Sequence, residues 1–178
     1  MAIPSSPCSD EDWARKAALG DHAAFSELVR KYSDRFFAVA YRLLRNGDEA
    51  EEIVQNAYLK FWQDPKKFNP QKNTKWSTWF YRVVVNACLD RLGKRGREVS
   101  QESFEIHPDA APSVESNMAE REQHQALNKA LGELPERQRA ALTLCFWEGL
   151  SNQEAADVLG LRLKALQSSI GTPAQKPG

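Results

Sequence analysis

The chain has 178 residues, with 24 Lys and Arg balanced by 24 Asp and Glu, 42% hydrophobic residues and three cysteines. This composition is typical of one or two globular domains and excludes collagen, low-complexity and disulfide-scaffold proteins. The longest uncharged apolar stretch, residues 140–147, is far shorter than the ~18 residues that a membrane-spanning helix needs. The N-terminus has no basic region followed by an apolar one, so no secretory signal is expected. We therefore expect a cytoplasmic protein without membrane insertion.

The neutral total conceals a segregation of charge along the chain. Residues 65–98 contain nine basic and two acidic residues, with aromatic side chains between them. Such a block is either a solvated surface or a binding surface for a polyanion. Residues 101–120 carry five acids and no Lys or Arg. This segment has too little apolar surface to offset its ordering entropy, and it is expected to be a flexible acidic linker between two domains.

The spacing of apolar residues predicts three helices before this linker. The first spans residues 25–43 and ends near an Asn-Gly pair. The second begins with an acidic capping pattern near residue 48 and ends at the Asp-Pro pair of residues 64–65. The third runs over residues 77–92 and is expected to close at Gly93 and Gly96.

After the linker, the pattern is typical of a helix-turn-helix. One helix covers residues 126–134, and Pro135 fits the first turn of the next, which reaches about Trp147. Ser151 and Glu154 then form a Ser-x-x-Glu capping box. Gly160 is suited to the left-handed residue that ends this helix before a further helical segment. The arrangement suits DNA binding, although many helical hairpins share it without binding DNA.

Three segments are distinctive in combination: AEEIVQNAYLKFW at 50–62, TWFYRVVVNACLDR at 78–91, and LPERQR at 134–139 followed by EGLS at 148–151. Taken together they resemble the bacterial extracytoplasmic-function sigma factors, which direct RNA polymerase to promoters. The first is similar to the acidic helix that docks on the coiled coil of the polymerase β′ subunit. The second is similar to the promoter-melting helix that recognises the minus-ten element, and the third to the domain that reads the minus-thirty-five element. The resemblance covers about residues 22–168.

The resemblance implies an all-α fold of two small helical domains joined by the flexible acidic linker. An N-terminal tail would occupy residues 1–20, and the first domain would span 21–98. The linker would cover 99–119, and the second domain, a helix-turn-helix domain with a shortened recognition helix, 120–178.

Four residues at the start of the second helix are the candidates for polymerase docking: Asp48, Glu51, Glu52 and Gln55. Exposed carboxylates at this position could meet Arg or Lys on the β′ coiled coil. Acids in a first turn also stabilise an isolated helix by ~0.3–1 kcal/mol each, so the residues alone leave a solvated face open.

Promoter opening requires groups that hold an unstacked base and track the phosphates, and aromatic faces bind a base with ~1–3 kcal/mol. Trp76, at the junction of the loop and the third helix, is the preferred stacking residue, whereas Trp79 is expected in the core. Arg82 is the candidate for phosphate contact, and Asn86, one turn later, for a base edge, unless it is a structural amide. The remaining cationic candidates, which add salt-sensitive affinity, are Lys72, Lys75, Lys94, Arg95 and Arg97.

The C-terminal end departs from the family pattern, in which the recognition helix continues through a basic segment. Here Gly171 and Pro173 prevent a long helix. The recognition helix is therefore expected to have about two turns, and its candidate DNA contacts are Arg162, Lys164, Gln167 and Ser168. We expect weakened binding of the minus-thirty-five element and a less stable second domain.

A sigma factor is the leading functional hypothesis, with RNA polymerase core and promoter DNA as partners. The altered C-terminus leaves open a protein that binds polymerase or an anti-sigma factor without productive initiation. A helix-turn-helix repressor is disfavoured because recognition-helix residues are missing. The resemblance also implies an anti-sigma factor as a partner. The histidines are scattered, and no nucleophile–base pair, phosphate loop or metal-ligand spacing occurs. We therefore expect neither enzymatic activity nor a cofactor or metal.

Overall fold

The computed structural model describes residues 8–69, 71–72, 74–99 and 118–171. Regular secondary structure within these ranges is entirely helical, which confirms the all-α prediction. No helix in the described ranges combines the length and apolar character needed to cross a bilayer. The helices are α1 (Asp10–Ala18), α2 (His22–Leu44), α3 (Gly47–Gln63), α4 (Trp76–Val99), α5 (Met118–Glu133), α6 (Glu136–Leu142), α7 (Asn152–Leu159) and α8 (Leu163–Ile170). Most of the predicted acidic linker, residues 100–117, lies outside the described residues.

Residues 1–20 were predicted to form an N-terminal tail. This prediction is wrong for Asp10–Ala18, which form helix α1. Ser9 accepts a hydrogen bond from the backbone N–H of Asp12, whose side chain accepts one from the Ser9 N–H. This capping box fixes the start of the helix. Ala14 and Ala17 are buried where α1 packs against α2 and α4. Helix α1 is therefore part of the first domain.

The core of the first domain is an aromatic cluster between α2, α3 and α4. Phe36 of α2 is fully buried, and its ring centroid lies 4.5 Å from that of Phe80 and 4.8 Å from that of Tyr81. Tyr58 of α3 lies 4.7 Å from Phe80. Such aromatic pairs add ~0.5–1.5 kcal/mol each beyond the burial of their area. Phe36 thus joins helices that are distant in sequence.

The junction between α2 and α3 differs in detail from the prediction. Arg45 ends α2 in the left-handed conformation, with φ 55°. Asn46, rather than Asp48, is the N-cap of α3, and its side-chain oxygen accepts a hydrogen bond from the backbone N–H of Glu49 at 3.0 Å. Asp48 lies in the first turn, where its charge favours the helix dipole.

Helix α4 does not close at Gly93 and Gly96, as the sequence pattern predicted, but continues to Val99. A glycine within a helix costs only about 1 kcal/mol relative to alanine. Arg91 and Arg95 on this last part of α4 form ion pairs with Glu49 of α3. Contacts with another helix therefore offset the local cost of the glycines.

The second domain follows the sequence prediction closely. Ser151 and Glu154 form the predicted capping box at the start of α7, and Gly160 ends that helix with φ 64°. A π-helical segment, Thr143–Trp147, continues from α6. Helix α8 has eight residues and ends at Gly171, with φ 69°, which confirms a recognition helix of about two turns.

The two domains pack against each other. Helix α7 lies against α4, and α6 contacts both α2 and α4. Buried side chains of the second domain, including Leu144, Val158 and Leu166, belong to the same hydrophobic cluster as Phe36. This contact between the two predicted domains joins residues that are distant in sequence, so local patterns do not predict it.

We predict that Phe36→Ala lowers the free energy of unfolding by ~3–5 kcal/mol, because it removes a fully buried ring and leaves a cavity. Phe146→Ala is the matched control, since Phe146 is 67% exposed, and it should change stability by less than ~0.5 kcal/mol. Urea denaturation followed by circular dichroism measures both values. Equal losses in the two variants would contradict the assignment of Phe36 to the centre of the core.

Candidate polymerase and nucleic-acid interfaces

The predicted docking residues form one exposed acidic face on the first turns of α3. Asp48, Glu51, Glu52 and Gln55 are all exposed. The Gln55 amide donates a hydrogen bond to Glu51 at 2.9 Å. Glu52 is paired with Arg91 of α4, with 3.2 Å between nitrogen and oxygen. Because Glu52 already has a partner in the chain, Glu51 and Asp48 carry most of the uncompensated charge of this face.

An open groove lies beside the acidic face, between α2 and α3. Its volume is about 620 Å³, and Glu51 and Gln55 belong to its wall. Most of the remaining wall is aromatic or aliphatic, with Phe25, Tyr58, Leu59, Trp62 and Phe37 among the lining side chains. Leu59 is 53% exposed. The groove therefore offers apolar surface next to carboxylates, a combination that suits an amphipathic basic helix.

Trp76 is fully buried, so its predicted role as a stacking residue is wrong in this structure. It lies on the inward face of α4 that also carries Phe80, and their ring centroids are 4.9 Å apart. Among the residues that the structure describes, none accepts a hydrogen bond from its indole N–H. A position at a loop–helix junction does not reveal which way a side chain points, and here the helical repeat directs it into the core.

The start of α4 is held by α1. The backbone N–H of Trp76 donates a hydrogen bond to a Glu11 carboxylate oxygen at 3.3 Å. A carboxylate at this position satisfies one free N–H at a helix start and opposes the positive end of the helix dipole. Glu11 therefore helps to fix the end of the loop that carries Lys72 and Lys75. Glu11 was not among the predicted site residues, although the Ser9–Asp12 capping pattern marks the start of its helix.

The outer face of α4 presents Arg82 and Asn86, and both are exposed. They lie one helical turn apart, as predicted, so one nucleic-acid strand could contact both. Trp79 is half-buried and packs against the core, with its ring 5.5 Å from that of Phe68 and 5.8 Å from that of Phe61. Trp79 lies three residues before Arg82 on α4, and part of its side chain is accessible.

The other cationic candidates of the first domain have different surroundings. Lys72, Lys94 and Arg97 are exposed. Lys75 is exposed too, but it pairs with Glu154 of α7 at 3.4 Å. One cation of the predicted basic block, Lys75, is therefore already paired with the second domain.

Arg95 is not placed for a phosphate contact, and this part of the prediction is wrong. Its guanidinium forms an ion pair with Glu49 and donates a hydrogen bond to the backbone carbonyl of Leu44 at 3.1 Å. Burial lowers the pKa of Arg95. Glu49 and Leu44 lie far from Arg95 in sequence, so the charge pattern around Arg95 gave no sign of them.

The candidate contacts of the recognition helix are together at the surface of α8. Arg162, Lys164, Gln167 and Ser168 are exposed, whereas Leu166 is fully buried against the rest of the domain. The Ser168 hydroxyl donates a hydrogen bond to the carbonyl of Lys164 at 3.0 Å. The exposed side of this short helix therefore presents two cations and one free amide.

The structure also assigns contacts to two second-domain residues whose roles the sequence did not reveal. Glu148 lies in the turn before α7, and its side chain is only 6% exposed. Arg139 of α6 is buried and donates hydrogen bonds to the backbone carbonyls of Leu131, Gly132 and Leu134 near the end of α5, and to that of Leu43. Burial lowers the pKa of Arg139. Both residues lie within recognised motifs, but their partners are non-local.

Two helical regions in this order, a four-helix domain with acidic and cationic faces followed by a helix-turn-helix domain, are typical of a transcription initiation factor of the sigma-70 type. The model of Sigma-70 region 2 matches residues 28–98, and that of Sigma-70 region 4 matches residues 124–171.

The comparison with individual proteins narrows this class. The chain is 32% identical to the ECF RNA polymerase sigma factor SigE of Mycolicibacterium smegmatis, over 91% of this chain and 68% of that protein. It is 30% identical to the ECF RNA polymerase sigma factor RpoE of Cereibacter sphaeroides, over 89% of each. The solved structure of RpoE from Bartonella quintana in complex with the anti-sigma factor NepR is 27% identical, with a TM-score of 0.63 over 82% of this chain and 89% of that one. The chain belongs to the extracytoplasmic-function sigma factor family. It binds RNA polymerase and promoter DNA and directs the enzyme to promoters.

We predict that Trp76→Phe lowers stability by ~0.5–3 kcal/mol, because it changes a buried ring, yet leaves binding of a single-stranded minus-ten oligonucleotide unchanged. Fluorescence anisotropy with a labelled oligonucleotide, at a temperature where the variant is fully folded, measures the binding. If the folded variant no longer binds the oligonucleotide, the original prediction that Trp76 contacts a base would be supported.

Proposed function

We propose that the acidic face of α3, Asp48, Glu51, Glu52 and Gln55, docks on the coiled coil of the polymerase β′ subunit. The supporting observation is its position beside the apolar groove between α2 and α3. Carboxylates at the rim would steer a basic helix, while the groove would bury its apolar side chains. This arrangement supplies a docking surface that a purely solvated acidic turn would lack.

We further propose that the outer face of α4 holds the nontemplate strand of the minus-ten element. Arg82 would contact a phosphate and Asn86 a base edge, with Lys72, Lys94 and Arg97 adding electrostatic attraction. Since Trp76 is buried, the extruded base would be held by polar groups of the loop and the exposed edge of Trp79. Lys75 would join this surface when its pair with Glu154 is broken.

The proposed contact with the minus-thirty-five element is the exposed side of α8. Arg162 and Lys164 would contact phosphates, and Gln167 and Ser168 are the candidates nearest to base edges. The helix has two turns, so it would bury less surface in a major groove than a longer basic helix. We therefore propose that recognition depends more on the minus-ten element than on the minus-thirty-five element.

The matches to both sigma regions favour productive initiation over the alternative of a non-productive polymerase-binding or anti-sigma-binding protein. Under this proposal the polymerase supplies all the catalysis, and the chain acts in the cytoplasm, where transcription takes place. The solved complex of the Bartonella relative with NepR supports an anti-sigma factor as a further partner of this chain.

Charge reversal tests the docking surface. We predict that Glu51→Lys weakens binding to core RNA polymerase about tenfold, because it places a like charge opposite the basic partner. Glu51 is the cleanest choice, since the same change at Glu52 would also break its pair with Arg91. The affinity is measured by fluorescence with the labelled full-length chain.

The matched control for this experiment is Glu122→Lys, which reverses an exposed charge on α5 of the second domain. It should leave the affinity unchanged. Equal binding by the Glu51→Lys variant and the wild type would remove the docking assignment.

Salt dependence separates the two proposed roles on α4. With a single-stranded minus-ten oligonucleotide bound to the holoenzyme, Arg82→Gln should reduce the slope of log affinity against log salt by ~0.7, the value for one lost phosphate contact. Asn86→Ala should instead leave the slope unchanged and reduce discrimination against a substituted base by ~1–3 kcal/mol.

Arg30→Gln is the control for these two variants, because it neutralises an exposed arginine on α2 and should alter neither quantity. A reduced slope for Asn86→Ala, or unchanged binding by both α4 variants, would contradict the assigned roles.

A further inference from the structure

One nearly buried carboxylate lies at the contact between the two domains. Glu148 belongs to the second domain, but three side chains of the first domain contact its carboxylate. The Tyr81 hydroxyl donates a hydrogen bond to it at 2.5 Å. Arg35 and Arg42 lie 3.3 Å and 3.9 Å from its oxygens. We call Glu148, Tyr81, Arg35 and Arg42 the Glu148 cluster.

The chemistry of the Glu148 cluster favours a specific closed contact. Its carboxylate is 6% exposed, and a charge removed from water is costly unless it is paired and hydrogen-bonded. Two guanidinium groups and a phenol supply those partners. Burial, followed by the contact with Glu148, raises the pKa of Tyr81, which further favours the protonated hydroxyl that donates this hydrogen bond. Separation of the domains would exchange these contacts for water.

Further contacts join the same surfaces. The Arg42 guanidinium lies 5.1 Å from the centre of the Trp147 ring, within the range of a cation–π interaction. Arg139 donates a hydrogen bond to the Leu43 carbonyl at 2.9 Å, at the negative end of the α2 dipole. Lys75, a candidate DNA contact, pairs with Glu154. The closed contact therefore also occupies one residue of the proposed promoter surface.

The closed arrangement is too small to bridge the promoter elements assigned under the proposed function. These elements are about 25 base pairs apart, which corresponds to about 85 Å of B-form DNA. A compact chain of this length has a radius of gyration of about 16 Å, equivalent to a sphere about 40 Å across. The segment 100–117 between α4 and α5 has a contour length of about 60 Å when fully extended, which is long enough to bridge the difference after separation.

We propose that the Glu148 cluster is an intramolecular latch that holds the two domains in a closed state, and that it must open before the chain contacts both promoter elements. The requirement for opening rests on the proposed function; the latch itself rests on the contacts within the chain. A partner that binds Arg35, Arg42 or the Glu148 turn would compete with the latch. The acidic face of α3 remains exposed in the closed state, so polymerase docking could precede opening.

The test replaces Glu148 by its neutral isostere in the full-length free chain. Glu148→Gln keeps the shape of the side chain and removes its charge. The closed population is read from zero-length carbodiimide cross-linking of Lys75 to Glu154, which lie 3.4 Å apart only when the domains are packed. Asp157→Asn is the matched control, because it removes one exposed carboxylate from α7 whose hydrogen bond is to Gln153 of the same helix. Small-angle X-ray scattering supplies a second measurement of closure.

We expect Glu148→Gln to lower the ratio of closed to open chains by about tenfold, the effect of losing a charge-assisted buried contact. The cross-link yield under limiting reagent should fall with the closed population. The radius of gyration of this variant should rise above the wild-type value, with the helical circular dichroism signal retained. The Asp157→Asn control should match the wild type in all three measurements. A folded Glu148→Gln variant with the wild-type cross-link yield and radius would overturn the latch.

If Glu148→Gln loses its helical signal, Tyr81→Phe provides the test, since it removes the phenol donor and leaves the carboxylate and both guanidinium groups in place. A fall in cross-link yield in this variant supports the latch, and an unchanged yield overturns it. Neither measurement contains polymerase or promoter DNA. Failure of the latch would therefore be distinct from failure of the assigned docking and promoter surfaces.

Discussion

The packing of aromatic rings around Phe36 is the constraint on which both proposed surfaces depend. Phe36 orients α3 and α4 relative to each other, because Tyr58, Phe80 and Tyr81 all lie against its ring. The acidic face and the outer face of α4 are the solvent sides of these two helices. The apolar cluster therefore fixes the relative positions of the surfaces proposed to bind polymerase and promoter DNA, although its own side chains contact neither partner.

Local patterns in the sequence predicted the helices and their caps well. Ser151, Glu154, Gly160 and Gly171 determine helix ends through their own backbone or near neighbours, so a short window of sequence contains the necessary information. The acidic face was also predictable, since its members are successive residues of one helix. Helix α1 had a comparable capping pattern, but its short apolar stripe was not recognised.

Predictions failed where the decisive partner is distant in sequence. The inward position of Trp76 is set by rings on α2 and α3, and Arg95 is held by Glu49 and the end of α2. The Glu148 cluster combines residues from three separate segments. The charge pattern and the helical periodicity indicate which residues lie on a surface. They do not show which of those charges form ion pairs with residues that are distant in sequence, because those pairs depend on how the helices pack.

The hydrogen bond from the Trp76 N–H to Glu11 spans 65 residues, and this separation has a consequence for biosynthesis. Glu11 leaves the ribosome several seconds before Trp76 at usual rates of translation, ~5–20 residues per second. The nascent α1 can pack against α2 first, but its Glu11 carboxylate has no contact with the Trp76 N–H until the start of α4 has emerged. The junction that orients the promoter loop is consequently completed late in the synthesis of the first domain, although one of its two partners was made several seconds earlier.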